Sequence, residues 1–397
     1  MTLKRLATFV LALALIIPSA AAADDRTGVS DDKIRVGIST PISGPAALWS
    51  TAALGMNAWA THINEGGGIH GRKIELIIKD DGYNPERTVR NLQEMKDNVF
   101  VVMGLLGSAA CEAGKDFFPD NQIPLINAYG DIRIFADMPK EKHKWFFIAY
   151  PDYEDENEYL CSYGIESLGA KKIAHFYQND DYGQKAEAGI KKAVAAAAGK
   201  AELIASVPYQ VNERSMAPYA AQLKNSGADT LILTASPTHA SLLIKAMAKQ
   251  GYAPKVLTNF TVGDPIMYKI AGRNWEGTYV TAPGQMGMPG VDPAADRVAA
   301  ILLEVDPRLK GREYLAIFGA VSMMHLAKGL ELAGRDLTRQ GLITAMEKIK
   351  DWKPEGMGAP VTYGPDRRQG VNAVRMSQAR DGKIEPLTDF KVFAPRF

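Results

Sequence analysis

Features that would narrow the function of this 397-residue chain are scarce. With 46 Lys and Arg against 45 Asp and Glu, the formal charge is +1, which gives no sign of a nucleic-acid surface or an acidic tail. Beyond the N-terminus, no apolar run reaches the roughly 18 residues of a transmembrane helix. What is left is the composition of an ordinary globular protein, long enough for about two domains.

Motifs of catalytic and cofactor chemistry are also missing. The chain has no G-x-S-x-G, H-E-x-x-H or G-x-x-x-x-G-K-[ST] motif, and no G-x-G-x-x-G follows a predicted strand. The histidines never occur at the three- or four-residue spacing of a helical metal site. The acidic pairs Asp80-Asp81 and Asp180-Asp181 follow strands, where we interpret them as solvated loop ends or helix caps. We therefore expect no metal, no cofactor and no enzymatic activity.

The N-terminal residues are typical of an export signal. Lys4 and Arg5 precede an apolar stretch over 7–17, and Pro18 and a run of small residues follow it. This pattern predicts a signal peptide over residues 1–23 and an exported mature protein. No cysteine lies at the junction, so lipid attachment is not expected.

The chain has two cysteines, Cys111 and Cys161, each in a helix-like segment. Export permits a disulfide, but we expect the two residues in different halves of the protein, where a bridge would clamp those halves together. We therefore favour two free, half-buried thiols.

Strands and helices alternate along most of the chain. The apolar runs "IRVGIST" (34–40), "KIELIIK" (73–79) and "VFVVMGLL" (99–106) are typical of strands, and helical stretches separate them. The alternation continues to "GTYVTA", and helices and a strand-like hairpin follow. It predicts an α/β fold with two doubly wound parallel sheets, because two sheets fit the length better than one.

Small polar and aromatic residues follow several predicted strands. In open parallel sheets, ligands bind beyond the carboxyl ends of the strands, where helix N-termini offer free N–H groups. In "GLLGSAACEAG" (104–114), Ser108 either caps a helix or helps to hold a carboxylate, and on this stretch alone the cap is favoured. The residues at the other strand ends are Ser39 to Pro45, Asn127 to Tyr129, Tyr182 with Gly183, and Ser236.

Several motifs together point to a known family. S-G-P follows the first strand, and a G-x-x-x-A…I-N…G-G-I-x-G-R-K-I-E-L run, D-D, N-P and a later N-D-D-Y-G-Q (179–184) come after it. The sequence resembles the periplasmic leucine/isoleucine/valine-binding proteins, the type I solute-binding receptors of branched-chain amino acid ABC importers. The match covers most of residues 31–397 and weakens after residue 285.

The resemblance implies two lobes that are joined by three crossings and close on a ligand by hinge motion. The crossings would lie near Tyr150, Pro283 and Thr362. Lobe I would comprise residues 31–149 and 284–361, and lobe II residues 150–283 and 362–397.

The resemblance also implies ligand contacts. Ser108 matches the hydroxyl residue that cradles a carboxylate, and Gly107 and Ala109 beside it would be small so that the ligand fills the space. Trp49 matches the aromatic residue that covers the ligand, and Tyr182 a second-lobe aromatic residue. The full predicted set is Trp49, Leu106, Gly107, Ser108, Asn127, Ala128, Tyr129, Asp131, Tyr153, Tyr182, Ser236 and Phe260.

Two departures from the family pattern bear on the ligand. Phe260 stands where amino-acid binders have an acid that pairs with the ligand ammonium, and Ser236 stands where they have a tyrosine. A buried ammonium without a counter-charge costs several kcal/mol, so the first departure argues against a free amino acid. Three acids at neighbouring positions remain as substitutes, namely Asp131, Glu154 and Asp264.

The sequence thus favours a monomeric, non-enzymatic receptor in the periplasm. It would bind a small carboxylate with an apolar or aromatic body and deliver it to an inner-membrane ABC permease, without a nucleic-acid partner. A receptor for a branched-chain or other free amino acid and a sensory or regulatory module of the same fold remain open. A secreted α/β hydrolase is the least favoured alternative.

Overall fold

The structure is a computed structural model that describes residues 26–397, so the predicted signal peptide lies outside the described residues. Strands and helices alternate as the sequence predicts. The strands are β1 (Lys33–Thr40), β2 (Lys73–Asp80), β3 (Val101–Leu106), β4 (Leu125–Tyr129), β5 (Phe146–Ala149), β6 (Lys172–Gln178), β7 (Glu202–Tyr209), β8 (Thr230–Thr234), β9 (Lys255–Thr258), β10 (Tyr279–Pro283), β11 (Gln369–Val371), β12 (Ala373–Arg380), β13 (Lys383–Pro386) and β14 (Lys391–Val392).

The helices connect these strands. They are α1 (Thr51–Glu65), α2 (Pro85–Met95), α3 (Ser108–Gly114), α4 (Phe117–Asp120), α5 (Arg133–Ala136), α6 (Tyr153–Leu168), α7 (Asp181–Ala196), α8 (Ala217–Ser226), α9 (Pro237–Lys249), α10 (Met267–Ala271), α11 (Pro293–Val305), α12 (Glu313–Ala333) and α13 (Arg339–Met346). Local sequence fixes several of their starts: Asn84 precedes α2 and its side chain accepts the Arg87 N–H, while Pro85 takes the first helical position.

Two sheets form the cores of two lobes, which confirms the predicted α/β fold. The sheet of lobe I is parallel, with the order β11-β5-β4-β3-β1-β2, and every residue of β3 is buried. The sheet of lobe II has the order β13-β12-β10-β9-β8-β6-β7, with β14 on β12, and β12 runs antiparallel to β10. In both sheets the parallel strands point their carboxyl ends to one edge, where a ligand site is expected.

The third passage between the lobes differs from the prediction. The chain passes to lobe II between β5 and α6, and it returns to lobe I after β10, which ends at Pro283. The strand β11 still belongs to lobe I, because Gln369 pairs with Ile148 of β5. The passage therefore lies at Asn372 rather than near Thr362, since β11 covers an edge of β5 that would otherwise be unpaired.

The C-terminal residues also differ from the predicted division of the lobes. They leave lobe II after β14 and run back along the third passage, where the Phe393 N–H donates to the Asn372 carbonyl over 2.8 Å. The carbonyl of Phe397 accepts the N–H groups of Arg368 and Gln369 of lobe I, over 2.6 and 3.1 Å. The chain end is thus bound to the hinge region and not to lobe II alone.

Both cysteines are free, as expected, but the prediction that they are half-buried is wrong. Cys111 in α3 and Cys161 in α6 are fully buried, each in the interior of its own lobe. Burial raises the pKa of both thiols, that of Cys161 to about 12, so both stay protonated and unreactive at neutral pH.

The long apolar helix α12 is the centre of lobe I. Among residues 26–397 it is the one helix long and apolar enough to cross a membrane, yet 83% of its most apolar stretch is buried inside the protein. It packs against α1 at very short distance, because a Cβ on Gly55 would clash with the carbonyl oxygen of Ala316 and one on Gly319 with that of Ala52. These glycines let the two helix backbones touch.

Replacing Gly55 by alanine should therefore lower the unfolding free energy by about 1–3 kcal/mol, because the added methyl group forces α1 and α12 apart. Urea denaturation measures the loss. Gly66→Ala is the matched control, since a Cβ there meets its nearest atom, the Ile63 carbonyl oxygen, at an ordinary 3.4 Å. A Gly55→Ala variant as stable as Gly66→Ala would contradict the close packing.

Candidate ligand-binding site

A cavity of about 50 Å³ lies between the two lobes, where the carboxyl ends of both sheets face each other. By the same measure of volume, one buried water needs roughly 10–15 Å³. The cavity therefore has room for about four waters or a small organic molecule. Its wall consists of aromatic rings, small residues and hydroxyl or amide groups, without a charged side chain. The lining residues are Ala46, Trp49, Tyr83, Leu106, Gly107, Ser108, Tyr129, Tyr150, Tyr153, Gln178, Tyr182, Ala235, Ser236 and Thr261.

Ser108 is the first residue of α3 and does not cap it. The residue before the helix is Gly107, and no side chain accepts a hydrogen bond from the first turn. The Ser108 Oγ instead accepts the backbone N–H of Asp131 over 2.9 Å, which ties α3 to the loop after β4. No hydrogen bond found within residues 26–397 uses the Ser108 hydroxyl proton, which is thus available to an acceptor in the cavity.

The space above Gly107 is filled by a side chain, contrary to the expectation that the ligand fills it. A Cβ on Gly107 would lie 2.6 Å from Cε2 of Tyr83, and the φ of 102° at Gly107 is itself unfavourable for other residues. Gly107 is therefore small because the ring of Tyr83 rests on it. Tyr83 lines the cavity but is not among the predicted contacts.

The acidic pair at the end of β2 places Tyr83. Asp81 is fully buried and accepts the Ser39 hydroxyl and the Tyr83 N–H, each over 2.9 Å. Tyr83 has a φ of 62°, rare for an aromatic residue, and this hydrogen bond holds it there. Asp80 accepts the N–H groups of Ile42 and Ser43 over 2.9 and 3.1 Å. The pair thus organises two loops of the site, and the prediction of a solvated loop end is wrong for Asp81, which is buried.

Four of the tyrosines that line the cavity have their hydroxyls bound by the protein itself. Tyr129 donates to Ser322 Oγ over 2.7 Å, and the hydroxyls of Tyr150 and Tyr153 are 2.7 Å apart. Tyr182 donates to the Asn259 side-chain oxygen over 2.9 Å and also contacts Thr261. Burial raises the pKa of these four tyrosines, so all stay protonated.

Eight of the twelve predicted contacts line the cavity, and Asn127, Ala128, Asp131 and Phe260 do not. Asn127 adopts a φ of 54°, and its side-chain oxygen accepts the Ala149 N–H over 2.7 Å. Its amide nitrogen lies 3.1 Å from Nδ1 of His325 in α12. This side chain therefore joins β4, β5 and α12 within the core of lobe I.

Phe260 lies behind the wall of the cavity. Its ring packs on Tyr150 with centroids 5.2 Å apart, and its N–H donates to Glu156 Oε1 over 3.1 Å. Phe260 is completely buried, so it supports Tyr150 from the outside of the cavity.

None of the three acids that could replace the missing counter-charge faces the cavity. Glu154 pairs with Arg133 over 2.9 Å and with Lys192. The carboxylate of Asp264 accepts the Ile266 N–H over 2.8 Å, outside the cavity. Asp131 lines a separate polar groove, where burial raises its pKa to about 7. No group of His, Cys, Asp or Glu within 26–397 is arranged to hold a metal ion.

Six lining residues are not among those predicted from the sequence. A signal existed for two of them, since Tyr83 belongs to the D-D-G-Y-N stretch and Gln178 directly precedes the N-D-D-Y-G-Q motif. Tyr150 was predicted only as a crossing. The full set is Ala46, Tyr83, Tyr150, Gln178, Ala235 and Thr261.

Comparison with known proteins identifies the class. The sequence profile of the family described as "Periplasmic binding protein" matches residues 33–383. The chain therefore belongs to the periplasmic binding proteins, and its two-lobed fold is that of their type I members. It is similar to the leucine/isoleucine/valine-binding proteins: it is 26% identical over 308 residues to the Leu/Ile/Val-binding protein homolog 1 of Brucella abortus, covering 76% of this chain and 79% of that protein.

Solved structures of the same fold carry different names. A fatty acid ABC transporter substrate-binding protein from Thermomonospora curvata superimposes with a TM-score of 0.81 at 22% identity, over 92% of this chain and 94% of that one. A solute-binding protein of an ABC transporter from R. palustris, in complex with 4-hydroxybenzoate, superimposes with a TM-score of 0.77 at 21% identity, over 92% and 98%. At these identities the likeness establishes the fold.

A buried carboxyl group supports the cavity wall from lobe II. Glu156 is completely buried; its Oε1 accepts the Phe260 N–H and the Thr281 hydroxyl, and its Oε2 has no partner in the described part of the chain. Burial raises the pKa of Glu156 to about 8, so the group is largely protonated at neutral pH.

Glu156 should make stability depend on pH. The folded protein keeps this proton up to about pH 8, whereas the unfolded chain loses it near the ordinary value of 4.5. Its contribution to the unfolding free energy therefore falls as pH rises from about 5 to 8, by at most about 1.4 kcal/mol per pH unit. Glu156→Gln should gain stability relative to the parent over this range, as measured by urea denaturation at several pH values.

Glu202→Gln is the control, because it removes one carboxyl group from an exposed position. The difference in stability between Glu156→Gln and the parent should change with pH much more than that of the control. Parallel pH profiles of parent and Glu156→Gln would contradict a protonated Glu156.

Proposed function

We propose that this protein is the periplasmic solute-binding receptor of an ABC importer, and that its ligand is a small carboxylate with an aromatic or apolar body. One observation carries the ligand class: the cavity is lined by aromatic rings and neutral polar groups and contains no acid. An amino acid would leave its ammonium without a counter-charge among largely buried side chains, which costs several kcal/mol.

The cavity offers neutral donors for a carboxylate. Ser108 is buried, and its hydroxyl proton has no acceptor among the described residues. Hydrogen bonds from neutral donors to an ionised acceptor are stronger than those between neutral groups, so this hydroxyl favours a carboxylate there. The rings of Trp49, Tyr129 and Tyr182 would then cover the body of the ligand, with favourable stacking and burial of apolar area.

The comparisons are compatible with this ligand class. The titles of the two solved structures name a fatty acid and 4-hydroxybenzoate, both carboxylates with an apolar or aromatic body. The name of the Brucella relative points instead to branched-chain amino acids. A free amino acid is therefore the second candidate, and ligand binding decides between them.

A thermal-shift screen followed by calorimetry tests the ligand class. Benzoate, 4-hydroxybenzoate, 3-phenylpropanoate or 4-methyl-2-oxopentanoate should raise the melting temperature, because a ligand of the folded state stabilises it by mass action. Leucine should not. Stronger stabilisation by leucine than by any of these acids would overturn the proposal.

Ser108→Ala tests the carboxylate contact. Loss of one hydrogen bond to a charged group should weaken binding of the best acid by about 1.5–3 kcal/mol, with little change in the fold. Ser226→Ala is the control, because that hydroxyl donates to the Leu223 carbonyl at the end of α8, outside the cavity. Equal affinities of Ser108→Ala and Ser226→Ala would show that Ser108 does not hold the ligand.

A further inference from the structure

A direct hydrogen bond joins the two lobes across the cavity. The side-chain nitrogen of Gln178, at the end of β6 in lobe II, donates to the hydroxyl of Tyr83 in lobe I over 3.1 Å. Both side chains line the cavity. The contact is therefore part of the closed site and not of the hinge.

The sheet order places this contact far from the passages between the lobes. In lobe I, Tyr83 follows β2, which is the edge strand opposite to β5 and β11. In lobe II, Gln178 ends β6, which is separated from β10 and β12 by β8 and β9. Other contacts between the lobes lie closer to the passages, such as the Tyr314 hydroxyl on the Phe260 carbonyl over 3.0 Å. Opening about the hinge would thus separate Tyr83 and Gln178 most.

Both partners are held in place before they meet. The Gln178 amide also donates to Asp180 over 2.6 Å and accepts the Tyr209 hydroxyl over 3.2 Å, all within lobe II. Tyr83 is held within lobe I by the bond from its N–H to Asp81 and by the contact of its ring with Gly107. Little side-chain entropy remains to be lost when the lobes close, so the bond favours the closed state.

The ring of Tyr83 also limits the cavity. It lies over Gly107, next to Ser108, and so occupies space that a longer ligand would need. No other residue could take the place of Gly107 while this ring is there, since even a Cβ would be 2.6 Å from it.

We infer that Tyr83 is the affinity- and size-determining residue of this receptor: its hydroxyl latches lobe I to Gln178 of lobe II, and its ring sets the length of ligand that fits. The second half of this inference rests on the proposed function, whereas the latch does not. A latch between the lobes raises the closed fraction of the free protein, and the apparent affinity for any ligand of the closed state rises with that fraction.

The latch can be tested without a ligand. Spin labels at Asp97→Cys and Lys200→Cys, on exposed turns at the outer ends of the two lobes, would report their separation, and both native cysteines are buried. Tyr83→Phe should raise the ratio of open to closed protein by about 3- to 10-fold. Tyr252→Phe is the matched control, because that hydroxyl donates to Ala228 within lobe II over 3.1 Å. Identical distance distributions for parent and Tyr83→Phe would overturn the latch.

A double-mutant cycle tests the pairing once a ligand is known. With 4-hydroxybenzoate as probe, Tyr83→Phe should raise the Kd by about 3- to 10-fold in the parent but hardly at all in a Gln178→Leu background. The same loss in both backgrounds would overturn the pairing. Tyr252→Phe should leave the Kd unchanged.

Tyr83→Ala tests the size limit. Removing the ring should shift the ratio of affinities for 3-phenylpropanoate over benzoate by at least about 10-fold toward the longer acid. An unchanged ratio would overturn the size-limiting role. If no carboxylate binds the parent protein, the proposed function fails, while the label distances still decide whether the latch exists.

Discussion

A cavity lined by buried side chains cannot hold an unpaired charge at low cost, and this constraint governs the site between the two lobes. The fourteen lining residues include no ionised side chain, and the three acids that could supply a counter-charge, Asp131, Glu154 and Asp264, are not among them. Glu154 pairs with Arg133, and burial raises the pKa of Glu156 to about 8, so the latter is largely neutral. The protein thus keeps charge out of the space where the ligand would lie, which limits the ligand to groups that neutral donors can hold.

Burial of the cavity wall also explains why the tyrosine hydroxyls are bound by the protein. A buried phenol without a partner would lose a hydrogen bond that water supplied before folding. Tyr129 finds Ser322, Tyr150 finds Tyr153, and Tyr182 finds Asn259. Each of these hydrogen bonds restrains a ring that lines the cavity. The Tyr83 hydroxyl finds its partner in the opposite lobe, which couples satisfaction of this group to closure of the cleft.

Much of the architecture could be predicted from the sequence, because the burial of a parallel strand leaves a direct trace in it. The run "VFVVMGLL" predicts a buried strand, and it contains β3, all of whose residues are buried. The alternation of strands and helices predicts the two sheets. The short edge strand β11 has only three residues, too few for a pattern, so the third passage was placed near Thr362 instead of Asn372. The strand β5 has only four residues and follows a 3-10 helix, so it too leaves no recognisable pattern in the sequence.

The sequence by itself determined the fold class, the family resemblance and the residues at the strand ends, because these follow from local periodicity and motif spacing. Only the tertiary structure decided which of those residues face the cavity. Asn127 and Phe260 turn into the cores of their lobes, since their backbone positions and hydrogen bonds direct them there. Tyr83 enters the site because Asp81 holds it at a positive φ. Gln178 contacts Tyr83 because the two lobes, which carry these residues, face each other across the cavity. Contacts of this kind depend on the relative position of the lobes, which no local pattern encodes.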